Sequence, residues 1–208
     1  MSLIIALDFD GTLVDSVESI WLEFQRVIEA MDLPKISYDD FKQQLGKVWD
    51  NVLTGLWPGI NIQEFNRNYR VEAEKPIPIR GVHTALKKLE DHYPLVILTS
   101  RGEDTLIKHL ELTGFTTTAF DGIYHRDNLP YHKPDPEALL SVCGDYSVDA
   151  EDLLYVGDSL VDFECAMNAG TRFVGVLTGA ASGSDFTEKG VADVIDSVTY
   201  LPGFLGLE

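Results

Sequence analysis

Two aspartates follow directly on the first apolar run of the chain, in the stretch "LIIALDFDGTLVDS". Side chains alternate along a strand, so Asp8 and Asp10 are expected to point to the same side, with Phe9 turned away. Gly11 allows a close backbone approach, and Thr12 offers a hydroxyl for a local turn. Because the carboxyl ends of parallel strands border the ligand crevice of an open sheet, this pair is predicted to face a reaction site.

Further groups that suit an anion follow two later strand patterns. "VILTSR" ends a strand with Thr99, Ser100 and Arg101, which offer hydroxyls and backbone N–H groups at a predicted helix start. Lys133 precedes Pro134, which is expected at the first position of the next helix and would hold the lysine near the sheet edge. Each signal is weak alone, since most lysines of this kind lie on the surface.

A second pair of acids strengthens the pattern. Asp158 follows a buried-strand pattern at a glycine turn, and Asp162 lies one helical turn later on the same side. Two like charges about 4 Å apart repel by roughly 4 kcal/mol at an effective dielectric constant near 20, so the cluster with Asp8 and Asp10 needs a cation. Oxygen ligands without histidine or cysteine favour Mg²⁺.

The elements that must position these residues alternate between strand and helix patterns. Apolar runs of strand length occur at 3–7, 94–100, 121–125, 152–159 and 171–179, each ending in turn residues. Continuous apolar runs separated by helices indicate βαβ units with right-handed crossovers. The predicted fold is therefore α/β, with a Rossmann-like, doubly wound parallel sheet.

One segment breaks this alternation. Residues 15–78 show helical patterns and no convincing strand, with helices expected near 38–45, 48–56 and 62–74. The first of its helices carries an apolar face and is expected to be capped by Asp15 or Ser16. We interpret the segment as an all-helical domain on two short hinges, with residues 1–14 and 79–208 forming the α/β core.

Composition excludes several classes of function. Sixteen lysines and arginines stand against 34 aspartates and glutamates, and the resulting charge of −18 disfavours nucleic acid and anionic lipid as partners. No apolar run approaches the roughly 18 residues that a membrane span needs. The N-terminus lacks a signal-peptide pattern, so a cytoplasmic location is expected. Cys143 and Cys165 are expected to be reduced packing residues.

Taken together, these motifs resemble the haloacid dehalogenase superfamily, in its phosphatase branch with a helical cap inserted after the first strand. "DFDGTLVDS", the strand ending in Thr99, "KPDPE" and "VGDSLVD" occur in the order and approximate spacing of that family, over nearly the whole chain. The dehalogenases of the superfamily lack an acid where Asp10 stands. The resemblance therefore implies a phosphoric monoester hydrolase similar to the phosphoglycolate phosphatases.

The resemblance also implies a mechanism and a role for each motif residue. Asp8 would attack the phosphoryl group and form an aspartyl phosphate, and Asp10 would protonate the leaving oxygen and later activate water. Mg²⁺ would be held by Asp8, the Asp10 carbonyl and Asp158, with Asp162 orienting the waters of the metal or Lys133. The phosphoryl oxygens would be bound by Thr99, Ser100 and Lys133.

The substrate and two alternatives stay open at this level. Gly46, Lys47 and Trp49 of the helical segment are the first candidates for specificity, because the resemblance implies a mobile cap that carries it. Sugar phosphates, phosphoglycolate, nucleotides and pyrophosphate all fit as small phosphorylated metabolites. A sugar phosphomutase and, from another class, a receiver-like phosphoaspartate module are the alternatives. The sequence does not indicate an oligomeric state.

Overall fold

The computed structural model describes residues 3–207 and contains one six-stranded parallel sheet. Its strands are β1 (Ile4–Leu7), β4 (Leu95–Leu98), β5 (Gly122–Tyr124), β6 (Leu153–Gly157), β7 (Arg172–Val176) and β8 (Val194–Ile195), in the order β5-β4-β1-β6-β7-β8. The predicted parallel α/β sheet is confirmed. Within this sheet, β8 was not predicted from the sequence, because its two edge residues form too short an apolar run to indicate a strand.

Strand β1 occupies the middle of the sheet and pairs in parallel with β4 on one side and β6 on the other. All four of its residues are buried, which explains their continuous apolar character. The carboxyl ends of these three strands consequently lie side by side, and each of the three is followed by residues singled out from the sequence.

Helices cover both faces of the sheet and form two apolar cores. One face packs against α5 (Val82–Glu90), α6 (Glu103–Leu112) and α10 (Leu201–Phe204), and the other against α7 (Glu137–Tyr146), α8 (Leu160–Ala169) and α9 (Gly183–Lys189). The predicted double winding follows from this division of the helices. Cys143 and Cys165 are free thiols buried in the second core.

The segment between β1 and α5 forms a third apolar core of its own. It contains α1 (Val17–Ala30), α2 (Tyr38–Lys42), α3 (Trp49–Leu56), α4 (Ile62–Asn68) and a 3₁₀ turn at Val71–Ala73. Phe24 is fully buried at its centre, with the ring of Phe41 4.9 Å away and that of Phe65 5.3 Å away. The predicted helix at 62–74 is shorter than expected, because the chain turns at Tyr69 into the 3₁₀ segment.

A short antiparallel ladder joins this segment to the sheet domain. β2 (Val14–Asp15) pairs with β3 (Ile77–Pro78), and the Ile79 amide donates to the Leu13 carbonyl at 3.0 Å. The expectation of helices without strands is therefore wrong at the two ends of the segment. Two-residue strands leave no periodic signal in a sequence, and their pairing depends on residues about 60 positions apart.

None of the helices within residues 3–207 combines the length and apolar character that crossing a membrane would demand.

Candidate active site

The predicted site residues meet at the carboxyl ends of β1, β4 and β6. A cavity of about 330 Å³ separates this edge of the sheet from the helical segment. Its lining includes six residues predicted in the sheet domain and three predicted in the helical segment, namely Asp8, Asp10, Thr99, Ser100, Lys133, Asp158, Gly46, Lys47 and Trp49. Asp162 lies behind this lining and is fully buried.

Lys133 links the two acidic motifs. Its ammonium group lies 3.1 Å from an Asp8 carboxylate oxygen and 2.7 Å from Asp162 Oδ1, and it also donates to the Tyr155 hydroxyl at 3.0 Å. The expectation that Pro134 opens the next helix is wrong, because α7 begins at Glu137 with Pro136 as its N-cap. Lys133 therefore projects from a loop and is held by its carboxylate partners.

Asp162 is held from several directions, which accounts for its complete burial. Its Oδ1 accepts hydrogen bonds from Lys133 and Tyr155, and its Oδ2 accepts from the backbone amide and hydroxyl of Ser159 in a capping box that begins α8. With four donors directed at it, this carboxylate has its oxygens occupied. Asp162 thus serves to position Lys133 and the start of α8.

Burial dominates the electrostatics of the two remaining acids. It raises the pKa of Asp8 to about 7, against the opposing effect of Lys133. The pKa of Asp158 is raised well above its usual value by burial, by Asp162 and by Asp8. Burial also works against the charge of Lys133, but Asp162 and Asp8 outweigh it and raise the pKa of the lysine. Three neighbouring carboxylates thus have one ammonium group beside them, which contacts Asp8 and Asp162.

This imbalance fits a divalent cation. One oxygen from each of Asp8, Asp158 and Asp162 lies within 4.8 Å of the others. Asp162 is hydrogen-bonded on both oxygens, whereas Lys133 contacts one oxygen of Asp8 and the Ala180 amide contacts one oxygen of Asp158, so these two side chains each keep an oxygen that could bind a metal. Carboxylate oxygens are the ligands that Mg²⁺ prefers in proteins, so the donor set suits the predicted ion.

Two glycines let the backbone pack tightly around Asp158. A Cβ on Gly11, which has a positive φ of 74°, would lie 2.3 Å from an Asp158 carboxylate oxygen, and one on Gly179 would lie 1.8 Å from it. The Ala180 amide donates to the same carboxylate at 2.7 Å. The prediction that the Thr12 hydroxyl helps to form the turn is wrong. Backbone hydrogen bonds close the turn, and the buried hydroxyl has no hydrogen-bond partner among the described residues.

Asp10 points to a different part of the cavity and is held by Arg101. The guanidinium donates from Nε to Oδ2 and from Nη2 to Oδ1, each at 2.8 Å, and the Ser16 hydroxyl donates to Oδ1 at 2.6 Å. Burial favours the neutral acid, but Arg101 and Ser16 outweigh it and lower the pKa of Asp10. Ser16 is the N-cap of α1 as expected, although its side chain binds Asp10 and does not cap the helix.

Arg101 also contacts the helical segment, through Glu74, a residue that was not predicted to belong to the site. Its Nη1 donates to Glu74 at 3.0 Å, and the Tyr69 hydroxyl donates to the other oxygen of Glu74 at 2.9 Å. Glu74 is buried, and burial raises its pKa despite the charge of Arg101. The position of Arg101 directly after Thr99 and Ser100 indicates in the sequence that it belongs to the site. Nothing in the sequence around Glu74 indicates that it pairs with Arg101.

A second contact between the domains lies beside the phosphoryl-binding candidates. The Ser100 hydroxyl donates to the Gly46 carbonyl at 2.6 Å, and Gly46 packs so closely on Ser159 that a Cβ would lie 2.5 Å from its hydroxyl oxygen. Thr99 accepts a hydrogen bond from the Arg101 amide at 3.2 Å. The loop before α3 thus rests against the sheet domain at the edge of the site.

Comparison with known proteins identifies the family of the chain. A family model described as haloacid dehalogenase-like hydrolase matches residues 5–176. A phosphoglycolate phosphatase of Neisseria gonorrhoeae is 30% identical, the match covering 84% of this chain and 80% of the relative. One from Pseudomonas syringae pathovar tomato is 28% identical, covering 99% of this chain and 80% of the relative.

Among solved structures, a hydrolase from Pseudomonas syringae superimposes with a TM-score of 0.86 at 22% identity, and the match covers 99% of this chain and 98% of that one. At this level of identity the similarity supports the fold and no more. The predicted enzyme class, a phosphoric monoester hydrolase, agrees with the family and with its curated relatives. The chain belongs to the haloacid dehalogenase-like hydrolase family.

Proposed function

We propose that the protein is a Mg²⁺-dependent phosphatase that hydrolyses a small phosphorylated metabolite through an aspartyl phosphate on Asp8. The observation that carries the proposal is the contact of 3.1 Å between Asp8 and Lys133 at the sheet side of the cavity, with Asp158 beside them. This arrangement provides a nucleophile, a cation for the phosphoryl oxygens and a place for a metal within one small volume.

In the first step, an Asp8 carboxylate oxygen bonds to phosphorus while the bond from phosphorus to the ester oxygen breaks. The departing alcohol takes a proton from Asp10. Lys133, Thr99 and the Ser100 backbone N–H bind the phosphoryl oxygens during this transfer, since the Ser100 hydroxyl already donates to the Gly46 carbonyl. Mg²⁺, when held by Asp8 and Asp158, neutralises charge between the carboxylate and the phosphoryl group.

In the second step, water attacks the phosphorus of the aspartyl phosphate and regenerates the Asp8 carboxylate, with Asp10 accepting the proton of the water. The pairing of Asp10 with Arg101 keeps the acid ionised, which suits this base role directly. To act as an acid in the first step, Asp10 has to take up a proton and give up a hydrogen bond from the guanidinium.

The test is turnover of p-nitrophenyl phosphate with Mg²⁺ by the wild type and by Asp8→Asn. We expect the variant to lose activity by about 10³-fold or more, since removal of a nucleophile leaves only binding and charge stabilisation. Asp91→Asn, an exposed site on the far end of α5, is the matched control. Wild-type turnover by Asp8→Asn would reject Asp8 as the nucleophile.

The sugar phosphomutase and the receiver module are tested by the fate of the phosphoenzyme. A mutase would depend on a bisphosphate primer, whereas a phosphatase would release inorganic phosphate without one. A receiver would keep its phosphoaspartate for minutes. We favour the phosphatase over the receiver module because the helical segment lies over the site. A receiver has no such segment.

We further propose the domain division predicted from the sequence, with residues 15–78 as a cap and residues 1–14 and 79–208 as the catalytic core. The separate apolar core of the helical segment and the β2–β3 ladder at its base support this division. Residues 1, 2 and 208 lie outside the described residues. The cytoplasmic location stays a prediction.

A further inference from the structure

The cavity has two chemically different sides. The sheet side carries most of the charged residues of the site, whereas the side formed by the helical segment is mainly apolar apart from Lys47 and Glu74. Six of the side chains on the helical side are Val17, Ile20, Leu45, Trp49, Val52 and Val71. We call these six residues the apolar wall.

Three polar side chains near the apolar wall already donate a hydrogen bond within the protein. The Trp49 indole N–H donates to Asn66 at 2.8 Å, and the Tyr69 hydroxyl donates to Glu74 at 2.9 Å. The Lys47 ammonium donates to the Gln44 side chain at 2.8 Å. A substrate rich in hydroxyl groups would therefore compete with these existing hydrogen bonds, and burying such groups against the apolar wall without partners is costly.

Most cations of the cavity are not available to a second anionic group on the substrate. Arg101, Lys133 and Arg126 are each paired with carboxylates of the protein. Within residues 3–207, Lys47 is the cation of the cavity lining that has no carboxylate within salt-bridge distance. Asp104 and Asp127 lie in the same lining and oppose an incoming carboxylate.

We propose that the substrate is a monophosphate ester of an apolar, uncharged alcohol, whose organic part packs against the apolar wall. This inference rests on the proposed phosphatase function, and it differs from the substrate in the names of the curated relatives. A cavity of about 330 Å³ also has more room than a two-carbon acid needs, since it lies in the size range of pockets for larger organic ligands.

The test compares 2-phenylethyl phosphate with 2-phosphoglycolate and glucose 6-phosphate, by kcat/KM in the presence of Mg²⁺. All three are esters of poorly departing alcohols, so differences in leaving-group chemistry are small. We expect the aryl-alkyl ester to be preferred by about tenfold or more, the discrimination that contacts in an apolar pocket commonly supply. p-Nitrophenyl phosphate serves as the general measure of phosphatase activity.

Variants of the apolar wall test where the preference originates. Ile20→Asn should reduce kcat/KM for 2-phenylethyl phosphate by about tenfold and leave that for glucose 6-phosphate less affected. Leu22→Asn, the same change on an exposed position of α1, is the matched control. Val71→Thr, which keeps the side-chain shape, provides a milder second variant if Ile20→Asn does not fold.

The outcomes separate this inference from the proposed function. Preference for 2-phosphoglycolate or glucose 6-phosphate, with normal hydrolysis of p-nitrophenyl phosphate, would overturn the inference and leave the phosphatase standing. A selective loss of phosphoglycolate turnover in Lys47→Gln would do the same, because it would identify a carboxylate site. Absence of turnover with every ester, p-nitrophenyl phosphate included, would overturn both.

Discussion

Arg101 grips Asp10 with two parallel hydrogen bonds of 2.8 Å each, and its third nitrogen reaches Glu74 at 3.0 Å. One guanidinium thus joins a residue of the reaction site to the returning end of the helical segment. Because a bidentate pair fixes both distance and orientation, Arg101, together with Ser16, sets the orientation of the Asp10 carboxylate. The position of Asp10, the proposed acid, is therefore coupled to the position of the helical segment on the sheet domain.

Replacing Arg101 should damage proton transfer more than binding. In Arg101→Met, Asp10 loses its two charged hydrogen bonds, and kcat for an alkyl phosphate should fall by about 10²-fold with a smaller change in KM. The loss should be smaller for p-nitrophenyl phosphate, whose leaving group departs without a proton. Steady-state kinetics with both esters provide the measurement.

Two further variants qualify this result. Arg101→Lys should recover part of the lost kcat, since an ammonium group can restore one of the two hydrogen bonds. Arg80→Met, on an exposed position, should behave as the wild type. Equal losses on both esters would argue that Arg101 acts on the phosphoryl group and not through Asp10.

Mg²⁺ should stabilise the folded protein, because it relieves the repulsion among the carboxylates that surround Lys133. At a concentration about a hundred times its Kd, the ion should raise Tm by about 5–10 °C. Asp158→Asn should abolish most of this response, whereas Asp39→Asn, whose side chain is 80% exposed, should retain it. Melting curves in Mg²⁺ and in EDTA that coincide would count against a metal in the resting site.

Glu23 should be a main source of stability in the helical segment. It is buried in α1 and accepts hydrogen bonds from Arg26 at 2.9 Å and from the Arg70 amide at 2.9 Å. Glu23→Gln keeps the shape but removes the charge, so the free energy of unfolding should fall by about 1–3 kcal/mol. Urea unfolding is the measurement, and Glu18→Gln on the exposed face of the same helix should change little.

His109 should make the protein less stable in mild acid. The side chain is fully buried, and burial together with the charge of Arg101 lowers the pKa of the ring to about 4. An unfolded histidine titrates near 6.5, so the unfolded state binds more protons between about pH 6.5 and pH 4. The free energy of unfolding therefore falls as the pH decreases through this range.

The comparison of His109→Leu with the wild type isolates this contribution. The variant should show a shallower slope of unfolding free energy between pH 4 and pH 6.5, by up to about 1.4 kcal/mol per pH unit. His92→Leu, at an exposed position, should keep the wild-type slope. An unchanged slope in His109→Leu would mean that the ring is protonated in the folded state.

Most of the site residues on the sheet side of the cavity could be predicted from the sequence. Asp8, Thr99 and Asp158 stand at the ends of apolar runs, and parallel strands must bring such ends to one edge of the sheet. The helices within residues 15–78 could also be predicted from the sequence, because apolar residues recur at helical spacing along α1. These features depend on neighbours within a few positions, where periodicity and turn chemistry operate.

The tertiary structure alone decided which charges pair. Arg101 lies 91 residues from Asp10 and 27 from Glu74, and Ser100 lies 54 residues from Gly46. No local pattern encodes such partners: the pairing of Arg101 with Asp10 forms only when the strands of the sheet assemble, and the contacts with Glu74 and Gly46 form only when the helical segment packs on the sheet domain. The apolar wall has the same origin, because side chains that look like ordinary helix core in the sequence line the cavity only once the two domains meet.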